Sequence, residues 1–216
     1  ALSLAGCAGW SAQAEAPAPE AQKTGLAPQA ARITDERILA DRKTLEAVQQ
    51  RLRALNEAGL PQNHYPLAKA QCWLDTAKTQ YHENDRTGYV EESLYESLKI
   101  VQALEADKTA RVGQDTPLVA RSTRLREDLW TRLAAFKGNA DTLQCNARTV
   151  ACAEVRLVRA GHAEQQTGWR QATPHVAMAE DAIRQATEEA ARCAAPAPVV
   201  AAAPVAAPAP RSEEHT

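Results

Sequence analysis

Two stretches of the chain echo each other: residues 72–89 read CWLDTAKTQYHENDRTGY, and residues 152–169 read CAEVRLVRAGHAEQQTGW. At a constant offset of 80 residues, the matching positions are Cys72 and Cys152, His82 and His162, Gly88 and Gly168, and Tyr89 and Trp169. Self-similarity at a fixed offset indicates a duplicated structural unit. We therefore predict two helix-turn-helix units, with the Thr-Gly pair of each copy at the start of its second helix.

The residues before the first copy predict another helix. Apolar residues such as Leu45 and Leu52 recur at seven-residue intervals from about residue 31, which is typical of an amphipathic helix of about 25 residues. Gly59 and Pro61 should end it. Asp41 interrupts the apolar face, which favours one helix of a bundle over a long coiled coil.

Proline, glycine and threonine predict the remaining boundaries. We expect a second helix from Pro66 to His82 and a third from Tyr89 to about Ala110. Thr116 and Pro117 should cap and open a fourth helix that Gly138 stops. The last hairpin should turn near residue 166, and Pro174 should delay or kink its second helix.

The composition agrees with an all-α fold. The chain has 46 alanines and nine aromatic residues, and alanine is the best helix former whereas strands favour aromatic and β-branched residues. We predict antiparallel helical hairpins forming a bundle or short repeat over residues 31–194, flanked by disordered Ala/Pro-rich segments. Trp73, Trp130 and Trp169 should be core anchors, and Glu91-Glu92 and Glu188-Glu189 should cover solvated faces.

The sequence offers little sign of catalysis. It has no nucleophile elbow, phosphate loop, dinucleotide fingerprint or haem-attachment motif, and the cysteines lack the close pairing of zinc sites. The net charge is -2 with no run of five like charges, so no nucleic-acid partner is predicted. We expect no enzyme activity, cofactor or metal. His82 and His162 are predicted to be exposed turn residues, with a shared ligand site as the alternative.

Leu4-Ala5-Gly6-Cys7 resembles the lipobox of bacterial lipoproteins, in which signal peptidase cuts before a cysteine that is then acylated. The resemblance implies that residues 1–7 are the end of a signal peptide and its lipobox, and that Cys7 carries the lipid. Several acyl chains anchor a protein stably, since each buried methylene contributes about 0.8 kcal/mol. The alternative is a buried or disulfide-bonded Cys7. Ala8 stands where lipoproteins of the inner membrane often carry aspartate, which favours the outer membrane.

The segments on either side of the helical region are typical of spacers. Residues 8–30 are rich in Ala, Pro, Gln and Glu and should form a flexible stalk, and the prolines of residues 195–210 favour an extended linker. Residues 211–216, RSEEHT, match the translation of a common sequencing adapter, so we suspect an artefact and expect the C-terminal domain to be missing.

Apart from Cys7, the chain has Cys72, Cys145, Cys152 and Cys193. An even number of cysteines in an oxidising compartment predicts two disulfides, with three possible connectivities. Cys145 and Cys152 would lie about 10 Å apart on one helix, too far to pair with each other. In the last hairpin the position facing Cys193 is nearer Cys145, so we predict the pairs Cys145–Cys193 and Cys72–Cys152.

The order of lipobox, stalk, helical region and Ala/Pro linker resembles that of OmpA-family outer-membrane lipoproteins. In many of these a peptidoglycan-binding domain follows the linker. The resemblance implies a lipid-anchored periplasmic protein that joins the outer membrane to peptidoglycan through the missing domain, with other envelope proteins as further partners. The alternative is an assembly-factor or solute-binding lipoprotein acting through the helical repeat.

Overall fold

The computed structural model describes residues 23–194, and over this range the chain is all-α, with no strand. Six helices follow one another: α1 (Asp35–Glu57), α2 (Tyr65–His82), α3 (Tyr89–Ala106), α4 (Glu127–Gly138), α5 (Ala140–Thr167) and α6 (Trp169–Ala194). The predicted helical bundle is confirmed. The expected Ala/Pro-rich flanks and Cys7 lie outside the described residues, except for positions 23–30 of the expected stalk.

Helices α1, α2 and α3 form an up-and-down bundle. Thr34 caps α1 by accepting a hydrogen bond from the backbone N–H of Arg37, and Leu45 and Leu52 are buried in the core as predicted. Pro66 lies in the first turn of α2, where its missing N–H has no cost. Cross-helix contacts run antiparallel along α1 and α2, where the side chains of Gln49 and Gln71 are hydrogen bonded.

The two hairpins, α2–α3 and α5–α6, pack through their first helices, which run parallel. Contacts between α2 and α5 advance in step along both helices, from Asn63 and Arg148, through the cysteines, to Asp85 and His162. Both hairpin turns therefore lie at the same end of the bundle. The second helices begin at Tyr89 and Trp169, each directly after a glycine with φ of 88°, as the Thr-Gly pairs predict.

Both predicted disulfides are present. Cys72 and Cys152 join α2 to α5 with a Cα–Cα distance of 5.3 Å, and Cys145 and Cys193 join α5 to α6 at 6.0 Å. The first bond links equivalent positions of the two repeated units. The second closes the end of the bundle opposite the turns.

The predicted start of the fourth helix is wrong. α3 ends at Ala106, and α4 begins at Glu127 rather than at Pro117. The Thr116 hydroxyl does not cap a helix, because it accepts a hydrogen bond from buried Lys69 at 2.6 Å. The residues between form a loop that crosses α5, where the N–H of Thr123 donates to the carbonyl of Gly161.

Glycine is required where this loop crosses α5. A Cβ at Gly161 would lie 1.8 Å from the carbonyl oxygen of Thr123, a distance that only a displaced backbone could relieve. On either side of Thr123, Ala120, Arg121 and Arg126 adopt left-handed backbone conformations, which helix propensity cannot predict. Pro174 is within α6, which begins at Trp169 without the expected delay.

The ordered body begins before the predicted boundary at residue 31. Thr24, Leu26 and Ala27 are buried, so residues 23–30 are not part of a free stalk. The N–H of Ala27 donates to Asp41 Oδ1 at 2.8 Å, and Arg32 is paired with both Asp41 and Glu91. We call residues 23–34 the N-terminal segment. Asp41, which interrupts the apolar face of α1, holds this segment.

Two expectations about surface and core are also corrected. Glu91 is 3% exposed because it pairs with Arg32, so it does not cover a solvated face. Trp73 and Trp130 are core residues as predicted, whereas Trp169 is 53% exposed at the start of α6.

Candidate functional site

The two hairpin turns border an open cleft of about 770 Å³ at one end of the bundle, lined mainly by polar and charged residue types. Its walls come from the α2–α3 turn, from the end of α5 and from the first turns of α6. We call it the turn cleft. The lining residues used below are Asn84, Asp85, Arg86, Thr87, Arg159, His162, Gln166, Arg170, Gln171 and His175.

His162 forms the base of the turn cleft and is 1% exposed. Its Nε2 lies 2.6 Å from Asp85 Oδ2, so Nε2 carries a hydrogen and donates it to the carboxylate. The prediction of two exposed turn histidines is wrong for His162 and correct for His82, which is exposed and does not line the cleft. The two histidines form no shared site.

The aspartate belongs to a compact turn that the sequence NDRTG builds. Asp85 Oδ1 accepts hydrogen bonds from the N–H of Thr87 at 2.7 Å and from its hydroxyl at 2.6 Å. Burial opposes ionisation of Asp85, but the hydrogen bonds from His162 and Thr87 outweigh it and hold the pKa of this carboxyl below its usual value. Asp85 is therefore a carboxylate at neutral pH.

An aromatic ring also holds the imidazole of His162 in place. Tyr89, which is fully buried, stacks on His162 with ring centroids 4.2 Å apart. Burial raises the pKa of Tyr89 to about 12, so the phenol stays protonated, and its oxygen lies 3.3 Å from the Thr76 hydroxyl. The base of the cleft is thus a group of four contacting side chains, those of His162, Asp85, Thr87 and Tyr89.

This arrangement is unlike a nucleophilic triad. In a Ser-His-Asp triad the hydroxyl and the carboxylate contact opposite nitrogens of the imidazole. Here both Asp85 and Thr87 approach Nε2, with Thr87 Oγ1 at 3.3 Å, while Nδ1 is buried without a hydrogen-bond partner among the described residues. His162 in this position therefore cannot pass a proton from the hydroxyl to the carboxylate.

The walls of the turn cleft are rich in arginine. Arg159 of α5 donates to Glu83 at 3.1 Å. The guanidinium groups of Arg86 and Arg170 have no ion-pair or hydrogen-bond partner within residues 23–194. His175 lies beside Arg159, and burial together with that positive charge lowers the pKa of His175. The imidazole of His175 is therefore neutral at pH 7.

A second, smaller groove of about 280 Å³ lies between α1, α2 and the start of α5. Gln71 is bonded to both Gln49 and Asp75, whereas the side chains of Arg53, Gln62 and Arg148 have no partner among the described residues. It offers fewer free polar groups than the turn cleft.

A third polar group is enclosed in the core away from both cavities. Lys69 and Glu154 are an ion pair at 2.5 Å, with Tyr65 and Lys137 also bound to Glu154. Burial lowers the pKa of Lys69 to about 8, although Glu154 opposes this shift. Since Lys69 is completely buried, we assign this group to packing between α2, α4 and α5.

Among residues 23–194, no set of three or more His, Cys, Asp or Glu side chains is placed to hold a metal ion. Within the same range, every helix is too short or too polar to cross a membrane. Comparison of the chain with protein families, curated proteins and solved structures gave no match.

The sequence alone did not indicate the turn cleft. It singled out His162 through the repeat, but Asp85 and the three arginines showed no motif. A signal was available in the NDRTG turn, because Asp two residues before Thr favours an Asx turn that presents its second carboxylate oxygen. Which side chain that oxygen meets depends on the packing of α2 against α5.

Proposed function

We propose that this protein is a lipid-anchored structural and interaction protein of the outer membrane, facing the periplasm of a Gram-negative bacterium. The anchor is acylated Cys7 in the lipobox-like sequence Leu4-Ala5-Gly6-Cys7. Residues 195–210 act as an extended linker to a domain that binds peptidoglycan, as in the lipoproteins that this layout resembles. The helical body contacts other envelope proteins, and its role is binding rather than catalysis.

The observation that carries this proposal is the pairing of cysteines. All four cysteines of the body are in disulfides, one joining α2 to α5 and the other joining the consecutive helices α5 and α6. Structural disulfides persist in oxidising compartments such as the periplasm and are rare in the cytosol. This supports a location in the envelope independently of the lipobox, and leaves Cys7 as the one cysteine available for acylation.

The anchor is tested by expressing the full reading frame with its leader in a Gram-negative host and labelling with a fatty acid. We expect label on the protein and sedimentation with outer membranes. Cys7→Ser should abolish both, and Ala8→Asp should move the labelled protein to the inner membrane. Membrane-bound, unlabelled Cys7→Ser protein would refute the anchor.

The wall link is tested by sedimentation with purified peptidoglycan. The product of the full reading frame should co-sediment, and the chain ending at Pro210 should not. Equal co-sedimentation of both would mean that the helical body itself binds the wall, and would refute the division of roles proposed here.

A second function, solute binding by the helical body, is favoured by the turn cleft. Its volume of about 770 Å³ lies within the range of small-molecule sites, and its base is the group of four contacting side chains. Binding of a solute there is compatible with a lipid on Cys7, because every residue that lines the cleft lies between positions 80 and 175.

A further inference from the structure

We propose that the turn cleft binds a sugar-like ligand that carries an oxyanion, either a phosphate or a carboxylate. The inference rests on the second proposed function, solute binding by this cleft, and does not depend on acylation of Cys7. Three features of the cleft support it: unpaired cations, unpaired amides and a preorganised base.

The unpaired cations define the charge of the ligand. Arg86 comes from the α2–α3 turn and Arg170 from the first turn of α6, so they approach the cleft from the two different hairpins. Both are exposed and neither has a partner among the described residues. Arginine binds phosphate and carboxylate through two parallel hydrogen bonds, which makes an oxyanion the matching ligand group.

The acidic residues of the cleft do not cancel this charge. Asp85 is occupied by His162 and Thr87, and Glu83 is occupied by Arg159. The three arginines of the lining, Arg86, Arg159 and Arg170, still outnumber its two acids by one. A negatively charged ligand in the cleft therefore meets a net positive lining charge.

The unpaired amides define the rest of the ligand. The side chains of Asn84, Gln166 and Gln171 line the cleft and make no hydrogen bond within residues 23–194. Each amide offers two donors and an acceptor, which complements hydroxyl groups that both donate and accept. These amides are exposed, so a polyhydroxylated ligand can replace the hydrogen bonds of the water that it displaces, whereas an apolar ligand that covered them would not.

The base of the cleft is preorganised. His162 is 1% exposed and fixed by Asp85 on one side and Tyr89 on the other. His162 and Asp85 are a hydrogen-bonded pair, and both residues line the cleft. The pair ties the last part of α5 to the NDRTG turn at the base of the cleft.

The inference is tested with the chain carrying Cys7→Ser, purified in oxidised form, by calorimetric titration with glucose 6-phosphate. Glucose serves as the neutral probe. We expect glucose 6-phosphate to bind at least about tenfold more tightly than glucose, with affinity falling as salt rises. Arg86→Gln and Arg170→Gln should each weaken binding of glucose 6-phosphate about tenfold. Arg192→Gln, an exposed arginine in the last turn of α6, is the matched control and should have no effect.

The source of the oxyanion is resolved by a second arm with lipid vesicles. Binding to phosphatidylinositol vesicles, but not to phosphatidylcholine vesicles, that is lost in the Arg86→Gln and Arg170→Gln variants would support the inference with a lipid headgroup as the ligand. Binding of glucose 6-phosphate alone would support it with a soluble ligand.

Two results would overturn the inference. If glucose binds as tightly as glucose 6-phosphate, the cleft binds a solute but does not recognise an oxyanion. No binding of any probe at about 10 mM would show that the cleft is not a site for this class of ligand. That concentration is on the order of the weakest affinities that matter for such ligands. Neither result bears on acylation of Cys7, which the labelling experiment tests separately.

Discussion

His162 donates a hydrogen bond from Nε2 to Asp85 Oδ2 across 2.6 Å, and so ties the last part of α5 to the turn between α2 and α3. The two residues come from different copies of the repeated unit. The pair holds the open end of the bundle in a fixed arrangement, while the disulfides hold its middle and its opposite end.

Acid should weaken this contact. Because the pKa of Asp85 is lower in the folded protein than in the unfolded chain, its contribution to the free energy of unfolding is present above about pH 4 and disappears as the pH falls through the folded value. Urea unfolding between pH 7 and 2.5 should show Asp85→Asn less stable than wild type at pH 7. The difference should shrink towards zero at the acid end. Exposed Asp181→Asn is the control, and a constant Asp85→Asn difference would contradict the interpretation.

Gly161→Ala should be among the most damaging single-methyl substitutions in the protein. The added Cβ would lie 1.8 Å from a backbone oxygen, so the loop through Thr123 must move and its hydrogen bond to α5 is lost. We expect a loss of about 3 kcal/mol in the free energy of unfolding. Gly138→Ala is the matched control, since nothing lies within 4 Å of its added Cβ, and it should change stability by about 1 kcal/mol or less. Equal effects of the two substitutions would refute the close approach.

Removing one partner of the buried pair in the core should cost more than removing both. Glu154→Gln leaves the ammonium of Lys69 completely buried without its carboxylate, and should lower the free energy of unfolding by about 3–5 kcal/mol. Adding Lys69→Met to Glu154→Gln should recover a large part of this loss. A double-mutant cycle in urea measures the recovery, and additive losses would show that the pair is not coupled.

Each disulfide should contribute about 4 kcal/mol to the free energy of unfolding in the chain-entropy description, because both close long loops. The loops span 80 and 48 residues, and this difference changes the expected value only slightly. Urea unfolding of the Cys72→Ala/Cys152→Ala and Cys145→Ala/Cys193→Ala double variants measures the two losses. Non-reducing peptide mapping checks the pairing, and a peptide linking Cys145 to Cys152 would disprove it.

Arg32→Gln should release the N-terminal segment without unfolding the bundle. The substitution leaves Asp41 and Glu91 buried without their cation, which favours separation of residues 23–34 from α1 and α3. Hydrogen exchange at the N–H of Ala27, which donates to Asp41, should accelerate about a hundredfold, or roughly 2–3 kcal/mol. Exposed Arg37→Gln should leave the rate unchanged. A similar rate in Arg32→Gln and wild type would show that Arg32 is not needed to hold the segment.

Much of the fold could be predicted from local signals. Gly88 and Gly168 mark the starts of α3 and α6 because the left-handed conformation there favours glycine. The disulfides could be predicted since helix geometry excludes the Cys145–Cys152 pair and hairpin geometry places Cys145 near Cys193.

The failures share a cause, which is that each depends on a partner distant in sequence. Thr116 resembles a helix cap, but its hydroxyl binds Lys69 from α2. Glu91 resembles a surface carboxylate, but Arg32 lies 59 residues away and pairs with it inside the protein. His162 is buried because Asp85 is 77 residues away along the chain and directly adjacent in space. The turn cleft depends on the same kind of contact and could not be predicted for that reason.

The two disulfides overlap along the chain, since Cys145 lies inside the loop closed by Cys72 and Cys152, while Cys193 lies outside it. A covalent path from residue 72 to residue 193 therefore runs through two sulfur bridges and the short stretch between Cys145 and Cys152. Under tension that path can extend to only about 40 Å, compared with about 420 Å for the unbridged backbone at about 3.5 Å per residue. If the chain is tethered at one end to lipid and at the other to the wall, the part of the helical body between residues 72 and 193 is a nearly inextensible link even when its helices are pulled apart, and any extension of the body is confined to the residues before Cys72.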